Sequence, residues 1–116
     1  MRYCNDFRYD LEIGKESESE LSLIFQDSTI EVKDDSKHSP RTGNVFIEYE
    51  SRNKPSGIAT TQATYWAIKT STNTFVIILT QRLKDIARNY IGTNRDILGG
   101  DNNTSRGVLI PREELL

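Results

Sequence analysis

Between residues 29 and 35 the chain alternates, with Ile30 and Val32 on one side and Glu31, Lys33 and Asp35 on the other. Residues 45–50 repeat the pattern, setting Val45, Ile47 and Tyr49 against Glu48 and Glu50. Alternation with a period of two predicts half-buried strands. An antiparallel hairpin would match their apolar sides, with a loop over residues 36–44 broken by Pro40 and Gly43. That parity puts Glu31 and Glu48 on a common face, and one register sets them directly opposite each other. Like charges opposite one another across strands are destabilising, so a compensating cation between them is expected.

Other segments carry helical spacing. Glu18, Leu21, Ile24 and Phe25 form a stripe that predicts a helix over residues 14–25. Ser56 reads as the N-cap of a second helix over residues 58–69, with Ala59, Ala63, Trp66 and Ala67 as its close-packing face. Residues 74–80 form a continuous apolar run, which predicts a strand buried on both sides in mid-sheet. A third helix is expected over residues 83–90, with Leu83, Ile86, Ala87 and Tyr90 inward. Residues 92–107 read as a long loop, and residues 108–110 as a last short strand that Pro111 confines to an edge or an end. Residues 1–12, with Tyr3, Phe7 and Tyr9, suggest a packed arm or short strand. The order predicts one α/β domain, a small mixed sheet flanked by helices.

Composition narrows the chemistry. A chain of 116 residues supports one core, and 35% hydrophobic with 28% charged residues suits a soluble globular protein. The longest apolar run, residues 75–79, is too short to span a bilayer, so no membrane partner is expected. Residues 1–10 lack the apolar centre of a signal peptide. The single cysteine, Cys4, allows no internal disulfide and points to a reducing, cytoplasmic setting. A net charge of −2 argues against a protein that coats DNA, which would be basic. An enzyme that touches nucleic acid locally, through an acidic metal site, stays open. One histidine and one cysteine exclude an ordinary zinc site within one chain. Gly99-Gly100-Asp101 lacks the strand-to-helix setting of a dinucleotide fold, and His38 has no serine-triad motif around it.

The Gly14…Glu18 helix start, the Glu31-Val32-Lys33 strand and the predicted helix–hairpin–helix–strand order resemble the PD-(D/E)XK nuclease superfamily. Within that superfamily, the segment from Thr42 to Glu50 followed by Lys54-Pro55-Ser56-Gly57-Ile58 is similar to small phage-encoded members and Holliday-junction resolvases. The resemblance spans residues 10–80 and implies a restriction-endonuclease-like core that hydrolyses DNA phosphodiesters with Mg2+ or Mn2+. It implies Glu18, Glu31 and Glu48 as metal-holding carboxylates and Lys33 as the cation beside the attacked phosphate. Two registrations stand open: Glu31-x-Lys33 as the signature, or Glu31 as the upstream acid with Glu48-Tyr49-Glu50 as its Glu-x-Glu form. Lys37, Arg41, Arg52, Lys54 and the Ser56 helix start are the candidate contacts to the nucleic-acid backbone. A homodimer, usual among resolvases, follows from the resemblance alone, and for a phage-encoded chain the setting is the host cytoplasm. The competing reading is a non-catalytic nuclease-like module that binds nucleic acid or protein.

Overall fold

The computed structural model describes residues 7–116, with side chains from Gly14 onward. The aromatic arm's Tyr3 and Cys4 lie outside the described residues, and from Phe7 the expected arm is already helix. Helix α1 spans Phe7–Asp27, β1 Ile30–Asp34, the short α2 Ser39–Thr42, β2 Asn44–Ser51 and β3 Lys54–Pro55. After them come β4 (Tyr65–Ser71), β5 (Thr74–Leu79), α3 (Thr80–Arg88), β6 (Asp96–Gly99) and β7 (Ser105–Pro111). This is a mixed α/β chain with two sheets. A three-stranded sheet runs β1-β4-β5 and a four-stranded sheet β3-β2-β7-β6. No described helix is long and apolar enough to cross a membrane.

The expected hairpin does not form. β1 pairs in parallel with β4, Glu31 beside Trp66 and Lys33 beside Ile68, whereas β2 pairs antiparallel with β7. The intervening segment is not a hairpin loop: Gly43, at φ 74, closes α2 by donating its N–H to Ser39 O and turns the chain into the other sheet. Partners in register share a face of the sheet, so Glu31 and Lys33 lie on the side of the buried Trp66 and Ile68. Ile30 and Val32 share the outer side with Tyr65 and Ala67, and Val32 is 65% exposed. The strand is therefore inverted relative to the expectation from its alternation.

The helix expected over residues 58–69 is also replaced. Only Gly57–Ala59 make a 3-10 turn, and Tyr65–Ser71 is the central strand β4. Tyr65, Trp66, Ile68 and Thr70 are strand-favouring types, and Trp66, Ile68 and Thr70 alternate into the interior. β5 is a strand as expected but lies at the sheet's edge, with Phe75 and Leu79 half exposed on its outer side. β7 is interior rather than an edge strand, and Pro111 sits at its last register position, opposite Asn44. The expected loop over residues 92–107 contains β6 and the start of β7.

The inner faces of the two sheets meet in one core. Trp66, Ile68 and Ile78 come from the first sheet, Val45, Ile47, Val108 and Ile110 from the second. Leu83 and Ala87 of α3 pack into the same cluster, as the spacing of the third helix predicted. Helix α1 contributes less: Ile24 is half-buried, while Leu21, Leu23 and Phe25 remain about half exposed or more.

The inverted strand yields a direct test. Val32→Thr is expected to change stability by no more than about 0.5 kcal/mol. Ile68→Ala, on the buried side of β4, is expected to cost about 2–5 kcal/mol. Urea melts followed by circular dichroism check both, and a loss at Val32 comparable to that at Ile68 would place Val32 in the core instead.

Candidate active site

The outer face of the second sheet carries the chemistry. Phe46 and Glu48 share that face, since their partners on β7 are Leu109 and Gly107. Gly107 and Gly99 leave room there: a Cβ on either would stand 2.6 Å and 3.0 Å from the Phe46 ring tip. The ring can therefore lie across both strands, which a larger side chain at either position would prevent. The Lys33 ammonium stands 5.9 Å from the centre of the same ring.

Asp35 brings Lys33 to this place. Its backbone N–H donates to Lys69 O (2.9 Å), prolonging the first sheet beyond β1. Its carboxylate turns to the second sheet, where Phe46 N–H donates to Oδ2 at 2.8 Å. Oδ1 lies 3.5 Å from Lys33 Nζ, and the Asp35 side chain is only 8% exposed. Glu48 follows Phe46 on the same face, about 7 Å further along the strand. Ser56 Oγ donates to Glu48 Oε2 at 2.8 Å. Ser56 was expected as a helix N-cap, but it makes no cap hydrogen bond. Gly57, at φ +53, lies so close to Glu48 that a Cβ there would sit 2.3 Å from the Glu48 carbonyl oxygen.

The other expected residues are dispersed. Glu31 is exposed on β1 and Glu18 is exposed on α1, and neither makes a described side-chain hydrogen bond or ion pair with Lys33, Asp35 or Glu48. The pairing shift between Glu48 and Glu50 places Glu48 opposite Gly107 and Glu50 opposite Arg106. Consecutive residues of a strand face opposite ways, so the two glutamates lie on opposite sides of the sheet. The Glu-x-Glu face expected from alternation is broken by this bulge. Lys37 and Arg41 are exposed before β2, whereas Arg52 and Lys54 are exposed past its other end. An eight-residue strand, about 25 Å, separates the two pairs.

Sequence reasoning gave Asp35 no role, although it extends the Glu-x-Lys row by one position. It also missed a network under the other face. Tyr49 Oη donates to the Asp96 carboxylate at 2.8 Å, Gly92 N–H donates to Oδ2 at 2.8 Å, and Arg106 Nη1 donates to Oδ1 at 3.2 Å. Burial works to raise the Asp96 pKa, but the hydrogen bonds from Gly92, Tyr49 and Arg106 together hold it below its ordinary value. Burial and then the neighbouring carboxylate push the Tyr49 hydroxyl up.

No protein-family model matches this chain, and neither a curated protein nor a solved structure does. The site must be judged on its own geometry.

A divalent cation of the Mg2+ kind is implied by the resemblance, so its fit can be tested. Among the described residues no group of three or more acidic, histidine or cysteine side chains is placed to hold a metal. Mg2+ commonly takes one or two carboxylates and completes its shell with water and substrate phosphate. Asp35 offers a carboxylate at the edge of β2, paired with Lys33, and Glu48 a second one on the outer face of the same strand, two residues beyond Phe46. An ionised carboxylate has about four acceptor positions, so two contacts leave Asp35 with capacity to spare. The carboxylate types suit such an ion, and no described contact joins Asp35 to Glu48.

The Asp96 network predicts an acid-labile element. With its folded-state pKa depressed, Asp96 contributes stability that is fully present above its ordinary value of 3.8 and is lost as pH falls through the lowered value. Asp96→Asn is expected to be less stable than wild type at neutral pH. The gap should narrow as pH falls below about 4, as measured by urea denaturation across pH. A gap that stays constant would show that the Asp96 charge contributes nothing.

Proposed function

We propose that this chain is a metal-dependent phosphodiesterase that cleaves DNA, with Lys33, Asp35 and Glu48 as its working residues. The observation that carries the reading is the inward turn of Lys33 and Asp35 on a strand that leaves Val32 65% exposed. Burying an ion pair while exposing a valine runs against stability, and such local violations cluster at functional sites. The Glu31-Val32-Lys33 resemblance to PD-(D/E)XK nucleases points to the same chemistry, although the hairpin and second helix that were part of it do not form; the restriction-endonuclease-like core rests on the short motifs alone. Asp35 and Glu48 serve here as the two acids and Lys33 as the cation, which departs from both registrations of the signature, since each of those needs Glu31.

Each side chain has a role that follows from its surroundings. Glu48, oriented by the Ser56 hydroxyl, presents its other oxygen to a cation or to a proton on water. Asp35 is fixed at both oxygens and adds negative charge without moving. Lys33 lies at the mouth with its side chain 32% exposed, where an ammonium can meet a phosphate oxygen. A divalent ion, when bound, would supply the remaining chemistry by offsetting phosphate charge and acidifying water. The half-buried Phe46 ring walls one side of the site.

The test is cleavage of plasmid and four-way-junction DNA with Mg2+ or Mn2+. Glu48→Gln and Lys33→Met are each expected to lower the rate by on the order of 10²-fold or more. Asp35→Asn should do the same with its melting transition recorded in parallel, because Asp35 also joins the sheets. Glu50→Gln, on the opposite face, should leave the rate unchanged. Binding of DNA without metal-stimulated cleavage would favour the non-catalytic module instead, and cleavage indifferent to Glu48 and Lys33 would remove this site from consideration.

A further inference from the structure

A second polar cleft, of about 450 Å3, opens at the far end of the four-stranded sheet, lined by Arg52 and Asn53 on one wall and Asn103, Thr104 and Arg106 on the other. Glu50 and Arg106 are register partners, so the cleft lies on the opposite side of β2 from Glu48. The wall on the β2 side is a two-residue turn, with Arg52 at φ 50 and Asn53 at φ 66. Turns of this shape favour asparagine and glycine, and a long side chain in the left-handed region is strained. The turn is not loose, since Arg52 N–H donates to Thr104 O at 2.9 Å and fixes one wall to the other. The turn therefore sets where the Arg52 backbone stands on the rim of the cleft.

Arg106 faces it. Among the described residues it is paired with Asp96, with Tyr49 on the same carboxylate, and its side chain is 38% exposed. A guanidinium has five donors, so most of them remain to be used. Among the described residues the ion pairs are Lys33–Asp35, Asp85–Arg88 and Asp96–Arg106, leaving Arg52 and Glu50 outside. With Asp96 already matched by Arg106, Arg52 and Glu50 balance one another in charge, but only the guanidiniums present planar donor forks. Forks of this kind recognise phosphate by paired hydrogen bonds. Leu98, 54% exposed, adds an apolar wall, and the amides of Asn53 and Asn103 offer both donors and acceptors. The volume exceeds what a bare phosphate needs and falls within the range of small-ligand sites.

The geometry points to a nucleotide-binding cleft, taking a phosphate on Arg52 and Arg106 and a base against Leu98 and the asparagine amides. The nucleotide is either free or one unit of a nucleic-acid strand. The inference stands apart from the cleavage reading, because the cleft shares no residue with the Lys33–Asp35–Glu48 face.

The test is a titration of the isotope-labelled full chain in metal-free buffer, read by amide chemical shifts. Adenosine 5′-monophosphate is expected to shift Asn53, Asn103, Thr104 and Arg106, whereas adenosine without phosphate binds at least tenfold more weakly. Arg52→Ala and Arg106→Lys, the latter keeping the charge beside Asp96, should each weaken binding at least fivefold. Glu48→Gln should bind as wild type, so failure here and failure of the cleavage reading are told apart. A short oligothymidylate that shifts the same amides at lower concentration assigns the cleft to a strand, and one that does not assigns it to the free nucleotide. Shifts confined to the Lys33 face, equal affinity for adenosine, or wild-type affinity in both arginine variants would overturn the proposal.

Discussion

Asp35 is the joint on which the rest of the structure depends. Its N–H continues the pairing of the first sheet, its carbonyl accepts from His38 and Ser39 to begin α2, and its carboxylate accepts from Phe46 on the exposed edge of β2. Beside Phe46 that edge has no strand partner, because β3 and Ser56 pair only with Tyr49, Glu50 and Ser51 at the strand's other end. A carboxylate filling such a gap makes a charge-assisted bond of about 1.5–3 kcal/mol. Without it the Phe46 N–H would lose its partner at the seam of two sheets. The same bond sets Lys33 beside Phe46 and in line with Glu48, so folding and site assembly rest on a single buried acid.

The second sheet then presents a different chemistry on each side of β2. The bulge between Glu48 and Glu50 turns one glutamate to the outer face and the other toward Arg106. Bulges re-aim side chains in this way, and here the consequence is a division of labour along one strand. Outward stand Phe46 and Glu48, with Gly99, Gly107 and Gly57 cut back to make room. Inward stand Val45 and Ile47 in the core, then Tyr49 on the Asp96–Arg106 network. Asp96 is tolerated in the interior because three donors surround it, in keeping with the rule that buried charge must be matched.

Much of the local structure was legible in the sequence, and little of its pairing was. The strands at residues 29–35 and 45–50, the apolar strand at Thr74–Leu79 and the helix through Leu83 and Ala87 all follow from periodicity. The partner of β1 did not, because a parallel neighbour lies a whole segment away and leaves no adjacent turn to announce it. Ala59, Ala63 and Ala67 fit a helical spacing, but Tyr65, Trp66 and Ile68 could bury only as a strand between β1 and β5. β6 is four residues long, too brief for alternation to register. At the candidate site, Lys33 and Glu48 could be read from residue type and spacing. Asp35 could not, since its role comes from a hydrogen bond to a backbone group on another sheet.

The inversion of β1 explains why the hairpin reading failed and why the site is worth pursuing. Alternation reveals that a strand has two faces but does not say which is inside; that is normally decided by hydrophobicity. On β1 the apolar row would have won on that ground alone, and Val32 would be buried. The parallel register with β4 instead gives Glu31 and Lys33 the side of Trp66 and Ile68. The first of these stays at the exposed end of the strand, while Lys33 reaches Asp35 and the second sheet. Slipping the register by one residue would bury Val32 and relieve this, but it would also carry Asp35 to the outer face and leave Phe46 N–H unpaired. Local hydrophobicity and the joint between the sheets thus demand opposite registers, and the joint prevails. A chain under selection for stability alone could resolve that conflict by exchanging Val32 and Lys33 for residues of the opposite kind. That this one keeps an ammonium at the seam, beside the Asp35 carboxylate and an aromatic ring, is the strongest physical reason to look for chemistry there.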